Sequence, residues 1–209
     1  MISGQALASR GIGAVDYIEP HPDWEPEPVE RFTFNDETHE YRILGELVPS
    51  VTQVLNSVFP RFAVDPYYLQ RGSVIHACCA MLLRREEFDY DPQIEGWIKA
   101  AKKFITQVNP VAQVVERQYY SERYGFAGTV DAVVLIGGNL LLLDWKSSTS
   151  GNDLMQLAGY SILTNVPHGV IVELNEDGTY TMGKIVRLRQ YQAGFLSALS
   201  VFKMQKQRE

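Results

Sequence analysis

The chain is poor in cysteine and carries no surplus of positive charge. Cysteine occurs only at the neighbouring positions Cys78 and Cys79. Adjacent cysteines rarely make a useful disulfide, and two sulfurs alone do not ligate an iron–sulfur cluster. Within an apolar helical run they read as core-filling thiols of a reducing compartment. No apolar run approaches the roughly 20 residues that a membrane-spanning helix needs. Residues 1–30 hold no continuous apolar block and turn acidic and proline-rich, unlike a signal or transit peptide. A cytoplasmic protein without membrane contact is the expectation. The phosphate-cradling pattern G-x-x-x-x-G-K-[ST] is also missing, which excludes a motor of that type. The net charge of −6 argues against a broad basic face, so any polyanion must be met in a local basic groove.

What is present fits a globular chain with a full core: 45% of residues are apolar and 21% charged. Residues 1–30, with "EPHPDWEPEPVE", read as an irregular lead-in. Residues 31–209 read as a single domain, with no repeat and no composition break. "RFTF" and "EYRIL" around "NDET" predict a hairpin. Ser50 with Gln53 predicts a capped helix start. Helical spacing follows from Arg71 to Arg85 and from Pro92 to Gln107. The period then shortens: "AQVVERQYYSERY", "GTVDAVVLI" and "LLLLDWKSS" predict a three-stranded meander. A helix over "NDLMQLAGYSILT", capped by Asn152 or Asp153, a strand pair and an amphipathic helix from Arg189 to about Gln205 complete the order. This is an α/β pattern, a central mixed sheet with helices on both faces.

The meander permits a register calculation. If Gly137 and Gly138 form a two-residue hairpin turn, Ile136 faces Asn139, and counting outward sets Asp131 opposite Asp144. Opposed residues share one face of a sheet, their Cβ atoms about 4.5–5.5 Å apart. Lys146 follows Asp144 by two and shares that face, while Leu143 and Trp145 point the other way, into a core. Opposed carboxylates repel, and burying them uncompensated costs several kcal/mol. Either Lys146 neutralises one of them, or a hard divalent cation such as Mg²⁺ or Mn²⁺ neutralises both.

Asp131, then a hairpin, then "LLLDWKSS" resembles the active-site signature of the PD-(D/E)XK nucleases. The closer likeness is to the RecB-like branch, which includes phage exonucleases and the mitochondrial genome maintenance exonuclease. "RGSVIH", with Arg71, Gly72 and His76, resembles the branch's N-terminal helix motif. "GFAGTVDAVV" is similar to the segment around the first aspartate, "QLAGY" to its Gln-x-x-x-Tyr helix, and "VPSVTQVL" to a segment upstream in the exonuclease members. The likeness covers roughly residues 31–165.

The resemblance implies a restriction-endonuclease-like core with N-terminal helical and hairpin additions, and hydrolysis of DNA with one or two Mg²⁺ or Mn²⁺ ions. It implies Asp131, Asp144, the Trp145 backbone carbonyl and His76 as metal ligands. Lys146 acts on the attacking water or the phosphate, and Gln156 and Tyr160 stand beside the site on one helix face. Glu116 is a further candidate ligand, with Glu122 its competitor on the same strand. Arg71, Lys99, Lys102 and Lys103 are candidate phosphate contacts, and Tyr119 or Tyr120 a base-stacking residue, in a passage roofed by the N-terminal helices. His21, His39 and His168 read as structural or surface residues. The spacing of Cys78 and Cys79 departs from the four-cysteine pattern of cluster-bearing members, so no iron–sulfur cluster is expected. The substrate expected is DNA with a free end, in a bacterial cell or a phage-infected host. Unwinding is left to a partner, for which a single-strand-binding protein, an annealing protein or a helicase is the expectation. The competing readings are a structure-specific or restriction-type endonuclease and a catalytically idle DNA-binding module.

Overall fold

A computed structural model describes residues 31–60 and 65–207 of the chain. The proline-rich lead-in expected at 1–30 lies outside the described residues.

A small antiparallel sheet comes first: β1 (Phe32–Asn35), β2 (Glu40–Ile43) and β3 (Glu46–Val48), paired in that order. The "NDET" turn closes the expected hairpin, with the Asn35 side chain accepting from the N–H groups of Glu37 and Thr38. The third strand extends the sequence reading. Leu44 and Gly45 take φ of 52° and 83° and form the two-residue turn whose twist suits a hairpin.

Helix α1 (Val51–Val58) starts as predicted. The Ser50 hydroxyl accepts from the Gln53 N–H at 3.0 Å, and the Gln53 side chain accepts from the Ser50 N–H at 2.8 Å. Helix α2 (Pro66–Arg84) begins at Pro66 rather than at Arg71, because Asp65 caps it and proline suits the first helical position. Helix α3 (Glu95–Val108) follows a 3-10 turn at Pro92–Ile94 and ends on Asn109 in the left-handed region.

The main sheet contains β4 (Val111–Ser121), β5 (Phe126–Ile136), β6 (Asn139–Lys146), β7 (His168–Leu174) and β8 (Tyr180–Met182), neighbours in that order. A short β9 (Val186–Arg187) also pairs with β7. Strands β4 to β6 are antiparallel, whereas β6 and β7 are parallel, so the sheet is mixed. The parallel pair needs a crossover, and helix α4 (Asp153–Thr164) supplies it. Helix α5 (Arg189–Lys206) follows β9.

Alternate residues of the meander serve two cores. Ala132, Leu143 and Trp145 pack with Ile98 and Phe104 under α2 and α3. Val133 and Leu142 pack with Val51, Leu157 and Phe195 under α1, α4 and α5. Burial on both faces explains why "VVLIGGNLLLLDW" reads as a nearly unbroken apolar run. The result is the α/β layout expected, a mixed sheet between helical layers. Among the described residues, no helix is long and apolar enough to cross a membrane.

Candidate metal centre and active-site cleft

Gly137 and Gly138 take φ of 58° and 81°, and Ile136 pairs with Asn139, so the turn is the one assumed in the register count. The β5–β6 ladder runs as far as Ala132 and Leu143. One step further, where the count sets Asp131 against Asp144, a side chain takes over. The Trp145 N–H donates to Asp131 Oδ2 at 3.1 Å. On the other edge of β5, Val115 pairs with Ala132 and Arg117 with Val130, which sets Glu116 opposite Asp131. Three neighbouring strands therefore each bring one carboxylate to the same level of the sheet. Glu116 sits at φ 48°, a left-handed conformation that costs a non-glycine residue about 1–2 kcal/mol.

Helix α2 brings His76 over this row, its Nδ1 3.1 Å from Asp131 Oδ2. One donor atom each from His76, Glu116 and Asp131 lies within 4.8 Å of the others. An imidazole nitrogen and two carboxylates at that spacing fit a divalent cation. Asp144 is engaged next to this trio. Its Oδ2 meets Lys146 Nζ at 2.7 Å, and its Oδ1 accepts from the Gln156 amide at 3.5 Å. Gln156 is the hub of this half of the site: its carbonyl accepts from Lys146 at 3.1 Å and its amide donates to the Tyr160 hydroxyl at 3.2 Å. Asp144, Gln156 and Tyr160 are buried, at 1%, 8% and 6% exposure, so each bond is made away from bulk water. The four-residue spacing of Gln156 and Tyr160 on α4 thus puts Gln156 against Asp144 and Tyr160 against Gln156, as their shared helix face implies.

Protonation follows from burial and these neighbours. Burial and then the repulsion of Asp131 push Glu116 up to about 7. Burial also lifts Asp144, and Lys146 only partly offsets it, leaving the carboxyl at about 6. Burial would raise Asp131 too, but His76 and Lys146 hold it below the usual carboxylate range. His76 shows the converse: burial disfavours its cation, yet Asp131 beside it overrides this and lifts it to about 9. For Lys146 the carboxylates Asp144 and Asp131 likewise outweigh burial and raise it. At neutral pH a proton on His76 balances Asp131, close to where a metal ion would sit.

The cluster opens into a cleft of about 1220 Å³, whose lining includes residues of α2 and of the small N-terminal sheet. Arg71 and Arg84 line it, with Lys146 at its floor. Arg71 packs over the ring of Trp97 at 4.4 Å and of Tyr68 at 4.9 Å. The remaining expected phosphate contacts lie elsewhere. Lys99 pairs with Glu95 at 3.1 Å, Lys102 rests over the Tyr90 ring, and Lys103 faces Asp177; none of the three lines the cleft. Tyr119 is buried in the α1–α4–α5 core, and the Tyr120 ring is stacked on Phe32 at 4.7 Å, so neither ring lines the cleft. Glu122 points to Arg31 at 3.8 Å and leaves the metal cluster to Glu116. Cys78 and Cys79 are buried free thiols.

Two residues gain importance from the structure. Arg84, one of the cations the sequence offers for a local basic groove, lines the cleft and donates to the Val115 carbonyl at 3.1 Å. His39, which read as a surface residue, stands on the cleft's lip. No signal in the sequence separates it from other polar turn residues, because its placement depends on how the small sheet packs.

No protein-family model matches the sequence, and a search of curated proteins finds no match. Among solved structures, the chain is similar to an alkaline exonuclease, LHK-Exo, from Laribacter hongkongensis, with a TM-score of 0.40 and 14% identity over 76% of this chain and 91% of that one. Its complex with dAMP gives the same score and identity, over 77% and 92%. A protein designated SSO0001 is similar with a TM-score of 0.37 and 13% identity, over 74% and 84%. At this level the site's own geometry has to carry the functional reading.

Proposed function

We propose that residues 31–209 form a single metal-dependent deoxyribonuclease domain of the PD-(D/E)XK type, working as a RecB-like exonuclease on DNA with a free end. One observation carries this reading. The cation-binding trio His76, Glu116 and Asp131 lies beside the buried Asp144–Lys146–Gln156 unit at the floor of one open cleft.

His76, Glu116 and Asp131 would hold a Mg²⁺ or Mn²⁺ ion, with Asp144 and the Trp145 carbonyl available to complete one or two sites. Such an ion, when bound, lowers the pKa of water and balances charge at the phosphoryl oxygens. Lys146 brings a fixed positive charge to the same place, where it orients the attacking water or steadies the phosphate. Gln156 holds the Lys146 ammonium and the Asp144 carboxyl in register, and Tyr160 holds Gln156. Arg71 and Arg84 receive backbone phosphates along the cleft. The site of action is the cytoplasm of a bacterial or phage-infected cell, with any unwinding supplied by a single-strand-binding protein, an annealing protein or a helicase.

End-labelled single- and double-stranded DNA, incubated with Mg²⁺ or Mn²⁺ and resolved by length, tests the proposal. Short products that vanish with chelator are expected. Full cleavage in chelator overturns the metal site, and intact DNA under every metal condition leaves a DNA-binding module.

A further inference from the structure

The turn between β1 and β2 ends on His39, an exposed residue at φ 53°, where glycine or asparagine would sit with less strain. Its ring is nevertheless held in place. It meets Phe34 edge-on at 5.2 Å and 86°, and Tyr41 at 5.5 Å and 84°. Its Nε2 lies 3.3 Å from the Tyr41 hydroxyl, which in turn hydrogen-bonds Thr129 at 2.8 Å. Thr129 is on β5, two residues before Asp131. Tyr41 itself is 1% exposed, so the anchor of this chain is part of the rigid interior. An exposed aromatic ring is thereby fixed relative to the metal cluster, on the cleft wall formed by the small sheet. Tyr68 of α2, more than half exposed, lines the same cleft.

We propose that His39 is a nucleobase-stacking site for a single-stranded segment entering the cleft, with Tyr68 a second aromatic contact in the same cleft. The inference rests on the nuclease reading and narrows it to a substrate unpaired where it meets the site. Three features select this ligand chemistry. The ring is planar, exposed and positioned by its neighbours, and every base offers a π-face to such a platform. The cleft's arginines, Arg71 and Arg84, suit the phosphates of the same strand. A paired duplex hides its base faces, so it gains nothing from His39.

Binding is measured in chelator, with a fluorescein-labelled 12-nucleotide single strand and a hairpin duplex as probes, so the readout does not depend on cleavage. His39→Asn tolerates the left-handed backbone and removes the stacking ring. It is expected to raise the single-strand Kd about tenfold, the size of one lost base stack, and to leave the duplex Kd within twofold. His39→Phe is expected to recover most of the loss, which a hydrogen-bonding or acid–base role would not allow. Tyr68→Ser is expected to weaken single-strand binding in the same way. An unchanged Kd in His39→Asn, equal losses for both probes, or failure of His39→Phe to recover binding overturns the proposal, as does a wild-type protein that ignores single strands. Metal-dependent cleavage by the wild type, assayed separately, decides the nuclease reading whichever way the stacking test falls.

Discussion

At the scale of single residues, the site is a set of charges that burial makes expensive. The folded Glu116 carboxyl holds its proton up to about 7, above the ordinary value of 4.5, so between those values the folded chain binds more protons than the unfolded one. The stability this group contributes to the metal-free protein is full below the ordinary value and is lost as pH rises through about 7. Glu116→Gln is therefore expected to raise the metal-free melting temperature at pH 8 by about 2–4 °C, since the carboxyl is half-exposed and the gain is nearer 1 kcal/mol than the whole shift suggests. The gain should vanish at pH 5, and stabilisation by added Mn²⁺ should be largely gone; thermal melts at both pH values, with and without the ion, check this. Lys146→Ala has a different signature. It removes the partner of a buried carboxylate and, on the proposed function, a charge that acts on the transition state. The expected outcome in steady-state cleavage assays is a fall in kcat of about 10²–10⁴-fold with little change in DNA affinity. Weak binding with near-normal kcat would make Lys146 a phosphate anchor instead.

At the scale of elements, the turn chemistry decides what each segment can present. Ser50 is 2% exposed and joins α1 to the meander, because the carbonyl of its neighbour Pro49 accepts from the Ala127 N–H at 3.0 Å. Ser50→Ala should lose the capping bond and about 1–2 kcal/mol, lowering the melting temperature by roughly 2–8 °C in a thermal scan while leaving the metal response in place. Legibility in the sequence follows the same line. The two-glycine turn admits one register, so the levels of Asp131, Asp144 and Lys146 could be counted before any coordinates. The capping box of α1 and the crossover helix with Gln156 and Tyr160 were equally readable, because local chemistry and long-range packing agree there. Strand β3 was not, since Leu44 in a left-handed turn violates the usual preference. The start of α2 was hidden because Tyr67, Tyr68 and Leu69 are apolar yet exposed and break the stripe that marks a buried face. The joining of Glu116 to His76 and Asp131 depends on a backbone angle within β4 that no pattern of side chains announces.

At the scale of the whole molecule, the proposed function asks a chain of net charge −6 to hold a polyanion with few cations. Arg71 and Arg84 line the cleft, while Lys99, Lys102 and Lys103 are spent elsewhere. Each phosphate contact to a single strand releases counterions worth roughly 0.7 in the slope of log K against log salt, so two such contacts give a slope near −1.5. A titration of single-strand affinity against salt should find that shallow value, and a slope steeper than about −4 would demand a basic surface beyond this cleft. On the proposed function, a strand enters the cleft lined by α2 and the small sheet by its end. Covalently closed single-stranded circles are expected to resist enzyme that degrades the linear form to short products. Rapid cutting of circles would replace the proposed exonuclease with an endonuclease and leave the proposed metal centre untouched.

The bond from the Trp145 N–H to Asp131 Oδ2 makes that carboxylate a substitute for a main-chain acceptor where β5 and β6 part company. On the proposed function, folding and turnover are then linked at this position. In a library selected for expression alone, Asp131 should be depleted of alanine even though no reaction is being scored, whereas Glu116 should drift freely or gain from replacement. Asparagine at 131, which keeps the acceptor, is the substitution that separates the two demands.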